Sequence, residues 1–130
     1  MKTKLMCFVM FVLGLASHPA MADLYMVTTS EGPGFGAPEE VVGVLENGIL
    51  PTFAMLRDLQ AKKKIITGGL PVGSRTLYLL VEASSLDEVD RMLRDLPAWG
   101  VFSWKVTPLQ TLAARESMER GILKKLKSKK

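Results

Sequence analysis

Apolar and polar positions along this chain recur with two different periods. Leu24 to Thr29, LYMVTT, is rich in aliphatic and β-branched residues and predicts a strand. From Pro38 onward, Val41, Val42, Leu45, Ile49, Phe53, Leu56 and Leu59 recur at helical spacing, which predicts a helix from about Pro38 to Lys62. Glu39 and Glu40 at its start and Lys62 to Lys64 at its end suit the helix dipole. Pro51, with Asn47-Gly48 before it, bends or breaks this helix, and two shorter helices are the alternative. IITGG, Ile65 to Gly69, reads as a short strand, and GGLPVGS is turn chemistry. RTLYLLVEA, Arg75 to Ala83, is the clearest strand. SSLDEVDRMLRDL is the clearest helix: Ser85 and Glu88 form a capping box, Leu86, Val89, Leu93 and Leu96 line one face, and Asp87/Arg91 and Asp90/Arg94 are spaced for ion pairs. Pro97 ends it. VFSWKVTP, Val101 to Pro108, predicts a fourth strand stopped by its proline, and a last helix covers Gln110 to about Lys124 with a frayed end beyond.

The order β-α-β-β-α-β followed by a helix predicts a ferredoxin-like α+β fold, an antiparallel sheet with two helices on one face. On the third strand Leu77, Leu79 and Val81 alternate with Tyr78, Leu80 and Glu82, so apolar side chains occupy both faces. Two helices cover only one face. The other face therefore predicts a second copy of the chain packed sheet to sheet, in a dimer or a larger even homo-oligomer.

The first twenty-two residues stand apart. Lys2 and Lys4 precede an apolar run, Leu5 to Ala16, and Ala20-Met21-Ala22 supplies small residues before Asp23. This is the layout of a secretory signal peptide, and the run is too short for a membrane span of about 20 residues. The expected organisation is a leader at 1–22 cleaved after Ala22, a domain at 23–112, and a C-terminal helix with a basic tail at 113–130. The expected location is the periplasm or the medium. Cys7 and His18, the only cysteine and histidine, leave with the leader. Cysteine nucleophiles, disulfides and Cys/His zinc sites go with them, as does the commonest general base.

The 17 Lys+Arg and 13 Asp+Glu include two leader lysines, so the processed chain holds 15 against 13. Five of those lysines lie in the terminal KKLKSKK, and without them the balance is 10 against 13, a net −3. The basic character is thus a property of the tail and gives no reason to expect nucleic acid as a partner. The tail reads as a solvated end, with contact to anionic lipid as its alternative.

Ser85 to Trp99, SLDEVDRMLRDLPAW, followed by Trp104 to Leu109, WKVTPL, resembles the second half of the muconolactone isomerase family. That family pairs a capped helix ending in Leu-Pro with a strand ending in Val-Thr-Pro-Leu. The resemblance extends from Leu24 to Leu112 and is strongest after Arg75. It implies a dimeric α+β barrel assembled into higher oligomers. It also implies the shift of a double bond in a small lactone acid during aromatic breakdown, without a cofactor. It transfers no catalytic residue to this chain.

Such a shift needs a group that moves a proton and donors for the developing enolate oxygen. Glu82, inside an apolar strand, is the candidate base, and Tyr78 on the same face is the candidate donor; a cross-sheet ion pair and a structural hydroxyl are their alternatives. Arg57, four residues after Phe53, can hold a carboxylate or lie over the core edge. Phe53, Trp99 and Trp104 can line a site for a flat ligand such as a small aromatic or lactone acid, or serve as core and interface. GPGFGAP lacks the lysine and hydroxyl of a phosphate loop and reads as a connection, with Phe35 placed to cap a pocket mouth. No metal-ligand spacing appears. Two functions follow as expectations: a cofactor-independent isomerase, and a non-catalytic module that binds a small apolar or aromatic molecule or serves mainly in assembly.

Overall fold

The structure, a computed structural model, describes residues 22–32, 34 and 36–129. Residues 1–21, Pro33, Phe35 and Lys130 lie outside them, so the expected leader and the expected pocket cap at Phe35 fall outside the described residues. In chain order the elements are β1 (Asp23–Thr29), α1 (Pro38–Val44), a π-helical segment (Leu45–Ile49), α2 (Leu50–Ala61), β2 (Ile65–Gly69), β3 (Tyr78–Ala83), α3 (Leu86–Arg94), a 3-10 turn (Trp99–Val101), β4 (Trp104–Leu109) and α4 (Leu112–Lys127). The sheet order is β2-β3-β1-β4, with every pair antiparallel. This is the ferredoxin-like α+β arrangement.

Strand alternation sorts the side chains. Tyr25 and Val27 of β1, Leu79, Val81 and Ala83 of β3, and Ile65 of β2 face the helices, where Leu56, Val89, Leu93 and Leu96 meet them in one buried cluster. The opposite face is uncovered among the described residues. Cross-strand pairing sets three rows on it: Leu109–Leu24–Glu82, Thr107–Met26–Leu80 and Lys105–Thr28–Tyr78.

Pro51 does not break the first helical run. The chain widens instead into the π-helical segment, where the Leu50 N–H reaches the Leu45 carbonyl, and α2 continues to Ala61. A proline cannot donate to the helical ladder, and widening the turn before it absorbs that defect. The Asn47 side-chain amide donates to the Gly43 carbonyl at 2.9 Å on the same stretch. Buried Gly48 faces the Ala98 methyl, and the Thr52 hydroxyl accepts the Ala98 N–H at 2.9 Å. The Leu96-Pro97-Ala98 turn is thereby fastened to the start of α2.

Four sequence expectations need correction. The third strand begins at Tyr78 rather than Arg75, because Ser74 and Thr76 turn the chain before it: the Thr76 N–H donates to Ser74 Oγ at 3.0 Å. The fourth strand begins at Trp104 and runs through Pro108 to Leu109, since an edge strand tolerates a missing donor. Leu86 is exposed, so the buried face of α3 is Val89 and Leu93, followed by Leu96. The C-terminal helix also runs to Lys127, farther than expected, and is capped by Thr111, whose hydroxyl accepts the Ala114 N–H at 3.1 Å.

The start of α3 carries an acid-sensitive contact. Ser85 Oγ accepts the Glu88 N–H at 3.2 Å, as in a capping box, but the Glu88 carboxylate reaches Ser84 rather than Ser85. Its other oxygen lies 2.6 Å from Lys64 Nζ. The Lys64 hydrogen bond first, then those from Ser84, hold the Glu88 carboxyl down to about 2. A pKa lowered by folding contributes stability that is complete above the unfolded value near 4.5 and is lost as pH falls toward 2. The Glu88→Gln variant should lose on the order of 1 kcal/mol at neutral pH, the solvent-screened value for such a contact. Its melting temperature should also vary less than the wild type's between these pH values. Parallel melting curves for the two proteins across that window would overturn the assignment.

Candidate functional site

An apolar hollow lies between the first helical run and the sheet. Leu45 and Ile49 of the π-helical segment and Phe53 and Leu56 of α2 form one wall. Val101, Phe102 and Trp104 form the second, and Leu70, Ser74, Arg75 and Leu77 close the third side. The cavity is partly open to solvent and holds about 230 Å³. Only Thr52, Ser74 and Arg75 bring polar side chains to it, and Thr52 already accepts the Ala98 N–H. A site with these walls favours a small, flat, mostly apolar molecule, with orientation set by its few polar groups.

The local folding reasons are readable. Trp104 Nε1 donates to the Trp99 carbonyl at 2.8 Å, which fixes the indole against the 3-10 turn. Phe102 meets Trp104 edge to face, with ring centroids 6.1 Å apart. Ser74 lies 2.5 Å from Thr76 Oγ1 and donates to Glu31 at 3.3 Å, so the loop that carries Arg75 is held to the loop after β1. Gly73 takes a left-handed φ of 80°, which lets that loop turn without strain. Gly32 borders the cavity, and a side chain there would press on the Phe102 ring, with a Cβ at 3.2 Å.

The six sequence candidates do not converge on one place. Phe53 and Trp104 line the cavity. Arg57 is exposed and borders a smaller adjoining hollow of about 140 Å³, which shares Phe53, Leu56, Leu70 and Leu77 with the first. Trp99 lies outside the cavity, and the Arg94 guanidinium sits 4.7 Å from its ring centroid. Glu82 and Tyr78 stand on the opposite face of the sheet. Tyr78 borders a shallow groove there with Met26, Thr67 and Leu80, and Glu82 sits half-buried beside Leu24. The proposed base and donor therefore do not face the cavity that Phe53 and Trp104 line.

Sequence reasoning missed Ser74, Arg75 and Leu45. Arg75 was absorbed into the predicted strand. The signal that marks it is the Gly-Ser pair before it, which turns the chain where β3 has not yet begun. Among the described residues no group of three or more His, Cys, Asp or Glu side chains is placed to hold a metal ion. No helix among them is long and apolar enough to cross a membrane.

Fold and cavity together define an α+β protein with a helix-covered antiparallel sheet and an apolar site between the two layers. Among solved structures the chain is similar to the 5-chloro-2-hydroxyhydroquinone dehydrochlorinase TftG from Burkholderia phenoliruptrix AC1100, determined in complex with 2,5-dihydroxybenzoquinone. The TM-score is 0.50 at 23% identity, and the match covers 67% of this chain and 93% of that one. The likeness establishes a shared fold. No protein-family profile matches the chain, and no curated protein matches it.

Proposed function

We propose that this chain is an exported protein that takes a small ring compound into the cavity between its first helical run and its sheet. The observation that carries the reading is the chemistry of the walls: aromatic and aliphatic side chains on two sides, with Ser74 and Arg75 on the third. Such a lining favours binding over proton transfer, because no carboxylate borders it. The structural neighbour acts on a substituted aromatic ring and was determined with a flat quinone, which is consistent with a ligand of that shape. The uncovered sheet face, with Leu24, Met26, Leu80 and Leu109 across three strands, fits pairing with a second copy.

A second reading draws on that same face. Tyr78 and Glu82 share it, and a second sheet laid across it would enclose the groove of Met26, Tyr78 and Leu80. A carboxylate and a phenol would then stand in one chamber. That is the constellation for a cofactor-independent double-bond shift of the muconolactone isomerase type, which the Leu-Pro and Val-Thr-Pro-Leu motifs resemble.

One experiment separates the two. The protein is titrated with 2,5-dihydroxybenzoquinone, the neighbour's ligand, and with muconolactone, following tryptophan fluorescence for binding and absorbance for turnover. Binding should quench Trp104, and Phe53→Arg should weaken it at least about tenfold, a 1.4 kcal/mol effect. An affinity unchanged by Phe53→Arg would remove the ligand from this cavity. Turnover that persists in Phe53→Arg and disappears in Glu82→Gln would transfer the function to the sheet face.

A further inference from the structure

Among the described residues the C-terminal helix is the one long element that buries nothing. All sixteen residues of α4 are exposed, and none joins the hydrophobic cluster. Met118, Ile122 and Leu126 nevertheless recur every four residues, with Leu123 beside them, and form an apolar stripe. The ion pairs Arg115–Glu119 and Arg120–Glu116 bridge single turns of the helix itself. Exposed pairs of this kind each contribute only about 0.3–0.5 kcal/mol. A helix of this length is marginal in water without a surface to pack on, so the stripe calls for a partner.

The surface that complements it is on the first helical run. Val42 and Leu50 are exposed there, at 53% and 61%, and Glu39 and Glu46 share the outward side with them. Between Pro38 and Leu56 the chain carries Glu39, Glu40 and Glu46 and no lysine or arginine. α4 has the opposite balance: Arg115, Arg120, Lys124, Lys125 and Lys127 against Glu116 and Glu119. Both surfaces are apolar stripes edged by charge, and the charges are of opposite sign. Both are also open in the same chain, so the contact is not made within it.

We propose that α4 of one copy docks on the outward ridge of α1, the π-helical segment and α2 in a second copy of this chain. Ile122 and its neighbours pack on Val42 and Leu50, and the lysines of the last two turns face Glu39 and Glu46. Leu45 and Phe53, which line the cavity, are carried by the same helical run, so the docked helix backs that run on its outward side and leaves the cavity lining as it is. The contact is separate from any pairing of sheet faces and does not depend on what the cavity binds.

The test is carbodiimide crosslinking of an equal mixture of isotope-labelled and unlabelled protein, read by peptide mass spectrometry. Mixed-isotope peptides should join Lys124, Lys125 or Lys127 to Glu39, Glu40 or Glu46. The Ile122→Glu variant should lose them while its circular dichroism still shows the folded sheet. The proposal is overturned if such peptides are absent, if they join only chains of one isotope, or if they survive Ile122→Glu. It is overturned in favour of a membrane if they are absent and the protein sediments with phosphatidylglycerol vesicles in a way that Ile122→Glu abolishes. A failure here leaves the ligand titration untouched, because that experiment reads the cavity and not the contact.

Discussion

Replacing Leu93 by alanine should lower the stability of the domain by about 2–5 kcal/mol, the range for removing a fully buried leucine. Leu93 projects from α3 into the cluster of Val27, Val81 and Val89, where it is 2% exposed. Truncation removes contacts that the surrounding strands cannot recover by moving, because three paired strands fix their spacing. For a domain with a total stability of about 5–15 kcal/mol this is a large share. Urea unfolding should show a lower midpoint with an unchanged slope. Leu86→Ala on the same helix is the control. That leucine is exposed, and its loss should cost less than about 0.5 kcal/mol. Similar losses from both variants would mean that α3 is packed in a different rotation.

Gly68→Ala should destabilise by about 1–3 kcal/mol, while Gly69→Ala should be close to neutral. A Cβ at Gly68 would lie 2.6 Å from Leu79 Cδ2 and 2.8 Å from the Tyr78 carbonyl oxygen. The leucine methyl can rotate away. The carbonyl belongs to β3 and cannot, so β2 would have to move off its partner. At Gly69 nothing lies within 4 Å of the same atom. The irregular pairing between Ile65 and Thr67 shows that β2 already departs from regular register beside this site. The comparison of the two adjacent variants by urea midpoint is decisive, since composition and helix or strand propensity are identical in both. Equal effects would contradict the close approach.

The element order was legible because each strand and helix keeps its period over enough residues to be seen. Val89 and Leu93 repeat at helical spacing, and Leu79 and Val81 alternate with Tyr78 and Leu80. The capped start of α3 was legible too, since Ser85 and Glu88 sit at the spacing that a helix end requires. The boundaries of β3 and β4 were less so. Val101 and Phe102 before β4 are as apolar as the strand itself, and before β3 the Ser74–Thr76 turn and the bonds between Thr29 and Leu77 decide where regular pairing begins. The site was legible only in part. Phe53 and Trp104 carry enough aromatic surface to draw attention wherever they lie. Ser74 and Arg75 reach the cavity because a turn held by Glu31 and Thr76 folds toward the first helix, a contact across 43 positions of chain that no local pattern encodes. The separation of Glu82 from the cavity follows from strand parity, which was readable. What was not readable is that the apolar cavity lined by Phe53 and Trp104 forms on the helix-covered face.

The widened turn at Leu45–Ile49 has a consequence for how this sequence can change. A π-helical turn amounts to one residue more than an α-helix needs for the same advance. Every residue beyond it is rotated by about 100° relative to an uninterrupted helix. The buried positions Thr52 and Leu56 and the outward positions Glu39 and Val42 are therefore in phase with the sheet only while that extra residue is present. A deletion within the five residues would leave a regular helix with its two halves facing different ways. Geometry thus constrains the length of this segment more tightly than the identity of its exposed side chains.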